Sequence, residues 1–355
     1  MLLWYWGRRG GGAHYALSLL RALSPNIAIS VSRQNAFIET IRTEAAIRQE
    51  VDTYANLAGF ATGFARLPKL GQQLRSFARM HGGGVVLSAM SHPWTPFLAP
   101  GLTRSGIAFI PVIHDAAPHP GDPAPLFRWR LSRELAAARA AVTLSDAVAA
   151  VLEREWPKLP LIRLALPAHL PYGLADVAKS TEFLFFGRFR AYKGLDLLRD
   201  AWPLVRATWP EARLRIVGSG DADRIAPGLA AMPGVTLENR WVTDSEMAPI
   251  IASARCLVLP YREASQSGVL PLALAHGVPG IVTSVGGLSE QVNDGESGLV
   301  VPPDPTHLAN AMLRLRDPEL YARIALGAAA EGKLLSDWSR HAQGLRDGMR
   351  EVLSK

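Results

Sequence analysis

Residues 181–198 read TEFLFFGRFRAYKGLDLL. Apolar residues run unbroken from Phe183 to Phe186 and stop at Gly187. A basic loop follows, with Arg188 and Lys193-Gly194, and then LDLLRDAWPLVRATW, whose apolar spacing is helical. Pro203 lies inside that helix and is expected to kink it. Strand, glycine turn, helix is the repeating unit of an α/β protein with a parallel sheet. Two cations and a helix N-terminus converge on one loop, which is what a diphosphate needs: positive charge plus backbone N–H groups. A plain basic surface loop is the alternative reading.

The same alternation extends in both directions. Upstream, MLLWYW is a strand, GRRGGG a turn, and AHYALSLLRAL an amphipathic helix. IAISVS, VVLSAM, AFIPVIHD and AAVTLSD are further strands, each ending in polar or turn residues. Downstream come ARLRIVGSGD, GVTLENRWV, the helix DSEMAPIIASA, the strand CLVLPY, a helix, GIVTSV and SGLVVPP. The pattern thus starts twice. Between the halves, LPAHLPYGLADVAKS at 166–180 carries the Pro, Gly and Ser of a linker. The expected organisation is a Rossmann-like N-terminal domain over 1–170 and a second over 176–337, with a basic, polar helix over about 338–355. In open parallel sheets ligands sit at the carboxyl ends of the strands, so residues just after each strand carry most weight.

Composition agrees. The 355 residues are too many for one ordinary core, and 48% hydrophobic with 19% charged describes a packed globular protein. The single cysteine, Cys256, allows no intramolecular disulfide and sits in a strand pattern, so it reads as a small core residue. No secretory leader is expected, because the short apolar start precedes its charges, and no apolar run reads as a membrane span. The expected location is the cytoplasm. The net charge of +7 concentrates at Arg8 and Arg9, at Arg66, Lys69, Arg75 and Arg79, and at Arg128, Arg130 and Arg133. Such clusters suit phosphates or an anionic leaflet, or are solvated helix faces. A nucleic-acid partner is not expected, since no stacking motif or recognition helix accompanies the charge.

Three further loops stand out. Gly10, Gly11 and Gly12 follow the first strand without the spacing of a dinucleotide fingerprint. His114-Asp115 ends AFIPVI, with His119 beyond it. Tyr261–Gly277, YREASQSGVLPLALAHG, joins a polar turn to an apolar helix, and Ser265, Gln266, Ser267 and Gly268 offer hydroxyls, an amide and N–H groups ahead of Val269. An N-capping turn is the simpler account of SQSG. Gly286-Gly287 and Glu290 form the next strand-to-helix turn, where Glu290 also reads as a helix-start acid. Asp221 and Asp223 match the letters of a metal motif but lie in a turn and read as structural; no metal and no cofactor is expected.

In this order, GR(x)4KG from Gly187 to Gly194, VGSG, the Tyr261–Gly277 segment and GGLSEQVNDGESGLVVPPDP resemble the C-terminal half of the retaining GT-B glycosyltransferases of glycosyltransferase family 4. The likeness covers 182–340 well and the N-terminal half loosely. It implies two facing Rossmann-like domains with a cleft, a C-terminal helix returning to the first, and transfer of a sugar from a nucleotide-diphosphate donor to a glycan or lipid-linked acceptor. Arg188 and Lys193 would hold the diphosphate, Gly11 and Gly12 would abut donor and acceptor, His114 would meet the sugar, and Glu263, Ser265, Gln266, Ser267, Gly268, Val269 and Glu290 would line the donor site. The family's Glu–x7–Glu motif is incomplete: its second acid, which binds ribose, falls at Leu272 or Ala273, and counting from Glu263 gives Pro271. A non-catalytic binding protein on the same fold is the competing expectation.

Overall fold

The computed structural model describes residues 1–23, 27–54, 56–118, 120, 126–170, 173–175 and 181–354. Two compact units account for them. One holds the described residues within 1–117, 124–165 and 338–355; the other holds those within 118–123 and 166–337. Leu166 begins the long segment of the second unit. His119 and the linker residues 171–172 and 176–180 lie outside the described residues.

The first unit is built on seven strands: β1 Leu2–Tyr5, β2 Ala28–Ser32, β3 Ile47–Val51, β4 Val85–Ser88, β5 Ala108–Ile113, β6 Ala141–Thr143 and β7 Leu161–Arg163. Their order is β3-β2-β1-β4-β5-β6-β7, all parallel, with Leu2 in register with Ala28 and Val86. A parallel sheet is covered on both faces, so its central strands are apolar throughout; every residue of β1 is buried. β3 differs. IRQEV is an edge strand whose Glu50 is held by Arg42 at 2.7 Å, and periodicity alone does not reveal it.

The helix Gly11–Leu23 follows β1 and begins inside the glycine run, at Gly11 rather than at Ala13. The last helix, Trp338–Ser354, packs back on it: Tyr15 Oη and His341 Nε2 are 2.9 Å apart, and Tyr15 meets the Trp338 ring edge-on. Burial holds His341 down to about 4, so it pairs as a neutral imidazole. The same helix also packs on β7, with Gly348 against Ile162.

The second unit has six parallel strands: β8 Glu182–Phe186, β9 Arg213–Gly218, β10 Val235–Asn239, β11 Cys256–Leu259, β12 Gly280–Thr283 and β13 Gly298–Val301. Their order is β10-β9-β8-β11-β12-β13. Phe183, Phe185, Ile216, Leu257 and Val258 are all fully buried in its core, and Cys256 with them. The helix Leu195–Thr208 runs through Pro203 and buries Leu198, Ala201, Trp202 and Val205, a helical stripe against the sheet. A large apolar side chain such as Leu198 or Val205 contributes about 2 kcal/mol by leaving water. The unit's chain entry and exit are joined: Ala168 N–H donates to the Leu335 carbonyl at 2.9 Å.

Both sheets reverse strand order at one point, between β1 and β4 and between β8 and β11. Loops leaving the carboxyl ends of strands flanking such a reversal diverge and leave room for a ligand.

Candidate functional site

In the second unit three loops leave adjacent strands β8, β11 and β12. The first carries Gly187, Arg188, Phe189 and Arg190, then a 3-10 turn over Ala191–Lys193, then Gly194. Phe189 is buried and its N–H donates to the Ser219 carbonyl, which pins the loop and leaves Arg188 exposed. Gly194 has φ +69°, and a Cβ there would stand 1.8 Å from the Pro260 carbonyl oxygen. Only glycine lets the first loop approach the second this closely.

Lys193 is half-buried and turns back over the end of β8, its Nζ 3.8 Å from the place a Cβ on Gly187 would occupy. It donates to Tyr261 Oη at 2.6 Å. Tyr261 is buried, and its hydroxyl lies 3.4 Å from Ser267 Oγ. The Ser267 N–H donates to Gln291 Oε1 at 2.7 Å, and Gln291 Nε2 donates back to the Ser267 carbonyl at 3.2 Å. A polar chain therefore runs Lys193–Tyr261–Ser267–Gln291 across all three loops. Around it, Arg262 pairs with Asp196 at 2.5 Å, the Arg262 N–H donates to the Tyr192 carbonyl, and the Gly287 N–H donates to the Ala264 carbonyl. The ammonium keeps two of its three donors for other acceptors, on a frame whose orientation is fixed from behind.

This arrangement redistributes the expected roles. Ser267 is buried, its N–H is taken by Gln291, and no side chain caps the helix Val269–Ala275, whose N-cap is Gly268. SQSG is thus not a side-chain capping turn: Ser267 is paired with Gln291, Ser265 and Gln266 are half-buried, Gly268 is exposed, and Val269 opens the helix. Glu263 is exposed. Glu290 lies late in a 3-10 turn, Gly286–Gln291, and is exposed, so it is not a helix-start acid. Leu272 and Ala273 belong to the buried core, as does Pro271 in the same helix. The apolar residues at the expected carboxylate position are therefore packing residues. Asp221 caps the short helix Ala222–Ile225 by accepting from the Arg224 N–H.

In the first unit, Gly11 and Gly12 form the first turn of the helix after β1. Gly11 is exposed with open space around it; a Cβ on Gly12 would stand 2.7 Å from Met90 Sδ and 2.9 Å from the Tyr5 ring, so this glycine lets the loops after β1 and β4 meet. His114 follows β5 and is half-buried. Sequence reasoning did not find the aromatic group beside these loops. Tyr54, His92 and Trp94 pack within 5.3–5.5 Å of one another, and the Arg8 guanidinium lies 5.3 Å from the Tyr54 ring. Burial, and then the charges of Arg130 and Arg8, push His92 down to about 3. It is a neutral acceptor for the Trp94 N–H. Next to it Ser91 Oγ donates to Glu134 at 2.6 Å and accepts from Arg130, while burial raises the Glu134 carboxyl to about 7.

Residues 180–317 match the family model of glycosyl transferases group 1. Among curated proteins, the chain is 35% identical over 185 residues to a D-inositol 3-phosphate glycosyltransferase of Streptomyces bingchenggensis, covering 48% of this chain and 40% of the relative. It is 32% identical over 165 residues to the phosphatidyl-myo-inositol mannosyltransferase of Mycobacterium tuberculosis, covering 44% and 43%. The chain thus spans about two fifths of the length of these curated relatives. Among solved structures it superposes on the sucrose-phosphate synthase of Thermosynechococcus elongatus with TM-score 0.75 at 20% identity, covering 99% of this chain and 98% of the other. Anabaena Alr3699/HepE in complex with UDP and glucose gives TM-score 0.75 at 15% identity, covering 99% of each. These likenesses show the fold, two parallel-sheet Rossmann-like units of the GT-B class.

Proposed function

We propose that the protein transfers a sugar from a nucleoside-diphosphate donor to an acceptor hydroxyl, with retention at the anomeric carbon. The observation that carries this reading is the braced ammonium of Lys193, in one loop with exposed Arg188, at the strand-order reversal of a unit that matches glycosyl transferases group 1. When the anomeric C–O bond breaks, negative charge grows on the departing diphosphate, and prearranged cations stabilise it. Lys193 and Arg188 take that role. The acceptor oxygen bonds to the anomeric carbon from the face the diphosphate leaves, and its proton passes to a leaving phosphate oxygen, so no protein nucleophile is required. His114, Gly11 and Gly12 serve sugar and acceptor from the first unit. Glu263, Ser265, Gln266, Gly268, Val269 and Glu290 lie along the donor, with Ser267 and Gln291 holding the frame.

The named relatives act on inositol phosphates and phosphatidyl-inositol, which supports a polar, hydroxyl-rich acceptor; the setting we favour is assembly of a cell-surface glycan or lipopolysaccharide at the inner face of the plasma membrane. No helix among the described residues is long and apolar enough to cross a membrane. Membrane contact, in this reading, is peripheral and uses the basic clusters. The experiment is a thermal-shift series with UDP-, GDP- and ADP-sugars on the full chain and on Lys193→Ala. A bound donor raises the melting temperature by mass action, the variant loses that rise, and transfer falls with it. A second reading, a sugar-nucleotide binder without activity, is favoured by the core residues at the expected carboxylate position. It predicts a donor-dependent shift with no turnover for any acceptor tried.

A further inference from the structure

From Thr53 to His114 the chain contains no aspartate or glutamate, yet it carries Arg66, Lys69, Arg75, Arg79 and Arg104. Every exposed large hydrophobic side chain described in the first unit lies near or within this stretch: Phe64, Met80, Phe97, Leu126 and Trp129. Three of them are one surface. Phe64 and Phe97 have ring centroids 5.2 Å apart, Phe97 and Trp129 5.4 Å, and the three side chains are 38%, 42% and 40% exposed.

Cations border this strip. The Arg133 guanidinium lies 5.7 Å from the Trp129 ring, and a groove of about 500 Å³ beside it is lined by Pro100, Arg104, Trp129, Arg133 and Trp156. Arg75 rests against Gly101, one helical turn beyond Phe97. Glu134, the acid of the neighbouring helix Phe127–Ala137, is turned inward and buried. We infer that the Phe64–Phe97–Trp129 strip, with Arg75, Arg104 and Arg133, is the face by which this protein docks on an anionic lipid surface.

The chemistry selects that occupant. Aromatic rings and long basic side chains both favour the boundary between headgroups and acyl chains, where the ring enters the apolar side and the cation stays with the phosphates. Single-stranded nucleic acid needs open ring faces for stacking. Here Phe64 and Phe97 meet at 86°, edge to face, and Arg133 sits on Trp129. This inference rests on the proposed membrane setting, but its test uses no donor, acceptor or turnover, so it fails independently of the transfer reaction.

The test is sedimentation of the full chain with phosphatidylcholine vesicles and with vesicles containing phosphatidylglycerol. Binding is expected only to the anionic vesicles, weakening as salt shortens the reach of the charges. Arg104→Glu with Arg133→Glu lowers the partition by about thirtyfold or more, the loss expected when two basic side chains leave an anionic surface. Phe97→Ser with Trp129→Ser lowers it comparably, whereas Arg323→Glu, on the other unit, does not. Melting curves and far-UV circular dichroism confirm that each variant is folded. The inference is overturned by equal binding to neutral vesicles, by no binding to either, by variants that sediment like the parent, or by an RNA oligonucleotide that competes the protein off the vesicles.

Discussion

The two units repeat one topology and fill its strand-order reversal differently. Loops after β8, β11 and β12 are joined by side-chain hydrogen bonds that end on an ammonium. Loops after β1 and β4 are joined by packing: Gly12 against Met90 and Tyr5, with Tyr54, His92 and Trp94 beside them. A hydrogen-bonded frame has one geometry, which suits a fixed charge such as a diphosphate. An aromatic group joined by van der Waals contact tolerates variation, which suits an acceptor that differs between related proteins. Under the proposed transfer reaction, the same scaffold would separate a constant task from a variable one.

Five substitutions probe this contrast, beginning with the largest effect. Gly194→Ala puts a methyl group into the Pro260 carbonyl on a left-handed backbone; it should destabilise the second unit by about 4 kcal/mol, seen as a separate low-temperature transition by calorimetry. Lys193→Ala should cost about 100-fold or more in kcat, the loss typical of one charge-stabilising group, with little change in melting temperature. Steady-state kinetics reads the first and calorimetry the second.

Glu134 tests the first unit through pH. Its carboxyl is raised from 4.5 to about 7 by burial, so the folded state holds its proton more tightly than the unfolded state. The stability this contributes is present in full below pH 4.5 and is lost as pH rises through about 7. Glu134→Gln should remove that slope, flattening the pH dependence of the first unit's unfolding free energy by a few kcal/mol across that window. Gly12→Ala overpacks the junction of two loops and should cost about 2 kcal/mol, read by calorimetry as a lower melting temperature of the first unit. Gln291→Ala leaves the Ser267 N–H and carbonyl without their partner. It should cost about 1 kcal/mol in stability and raise KM for the donor more than it lowers kcat; an unchanged KM would dissolve the bracing role.

What the sequence shows follows from the range of each interaction. β8, β11 and β12 hold continuous apolar runs ended by glycine, proline or polar residues, and their signal is local. Arg188 and Lys193 lie in one loop, so their closeness along the chain needs no tertiary knowledge. Tyr261 and Gln291 are different: their partners are 68 and 24 residues distant, and nothing local marks a tyrosine at a strand end or a glutamine after GGLSE. β3 escaped because edge strands are made polar to stay unpaired. Phe64, Phe97 and Trp129 stand far apart along the chain and become one strip only when helices Thr95–Arg104 and Phe127–Ala137 pack. Leu272 and Ala273 looked like losses from a motif; their burial makes them gains to a core.

The bond between the Ala168 N–H and the Leu335 carbonyl bears on the order in which the protein assembles. On the ribosome, residues 1–165 emerge first but wait for the helix Trp338–Ser354, which they need to cover Tyr15. Most of the intervening unit, residues 166–337, is one continuous stretch of chain and can fold as soon as it is out. Once folded, it holds its two ends together, so to the rest of the polypeptide a tether of well over a hundred residues behaves as a short one. The entropy of closing the first unit falls accordingly, by an amount that grows with the logarithm of the chain removed. The folded second unit thereby shortens the loop that the first must close.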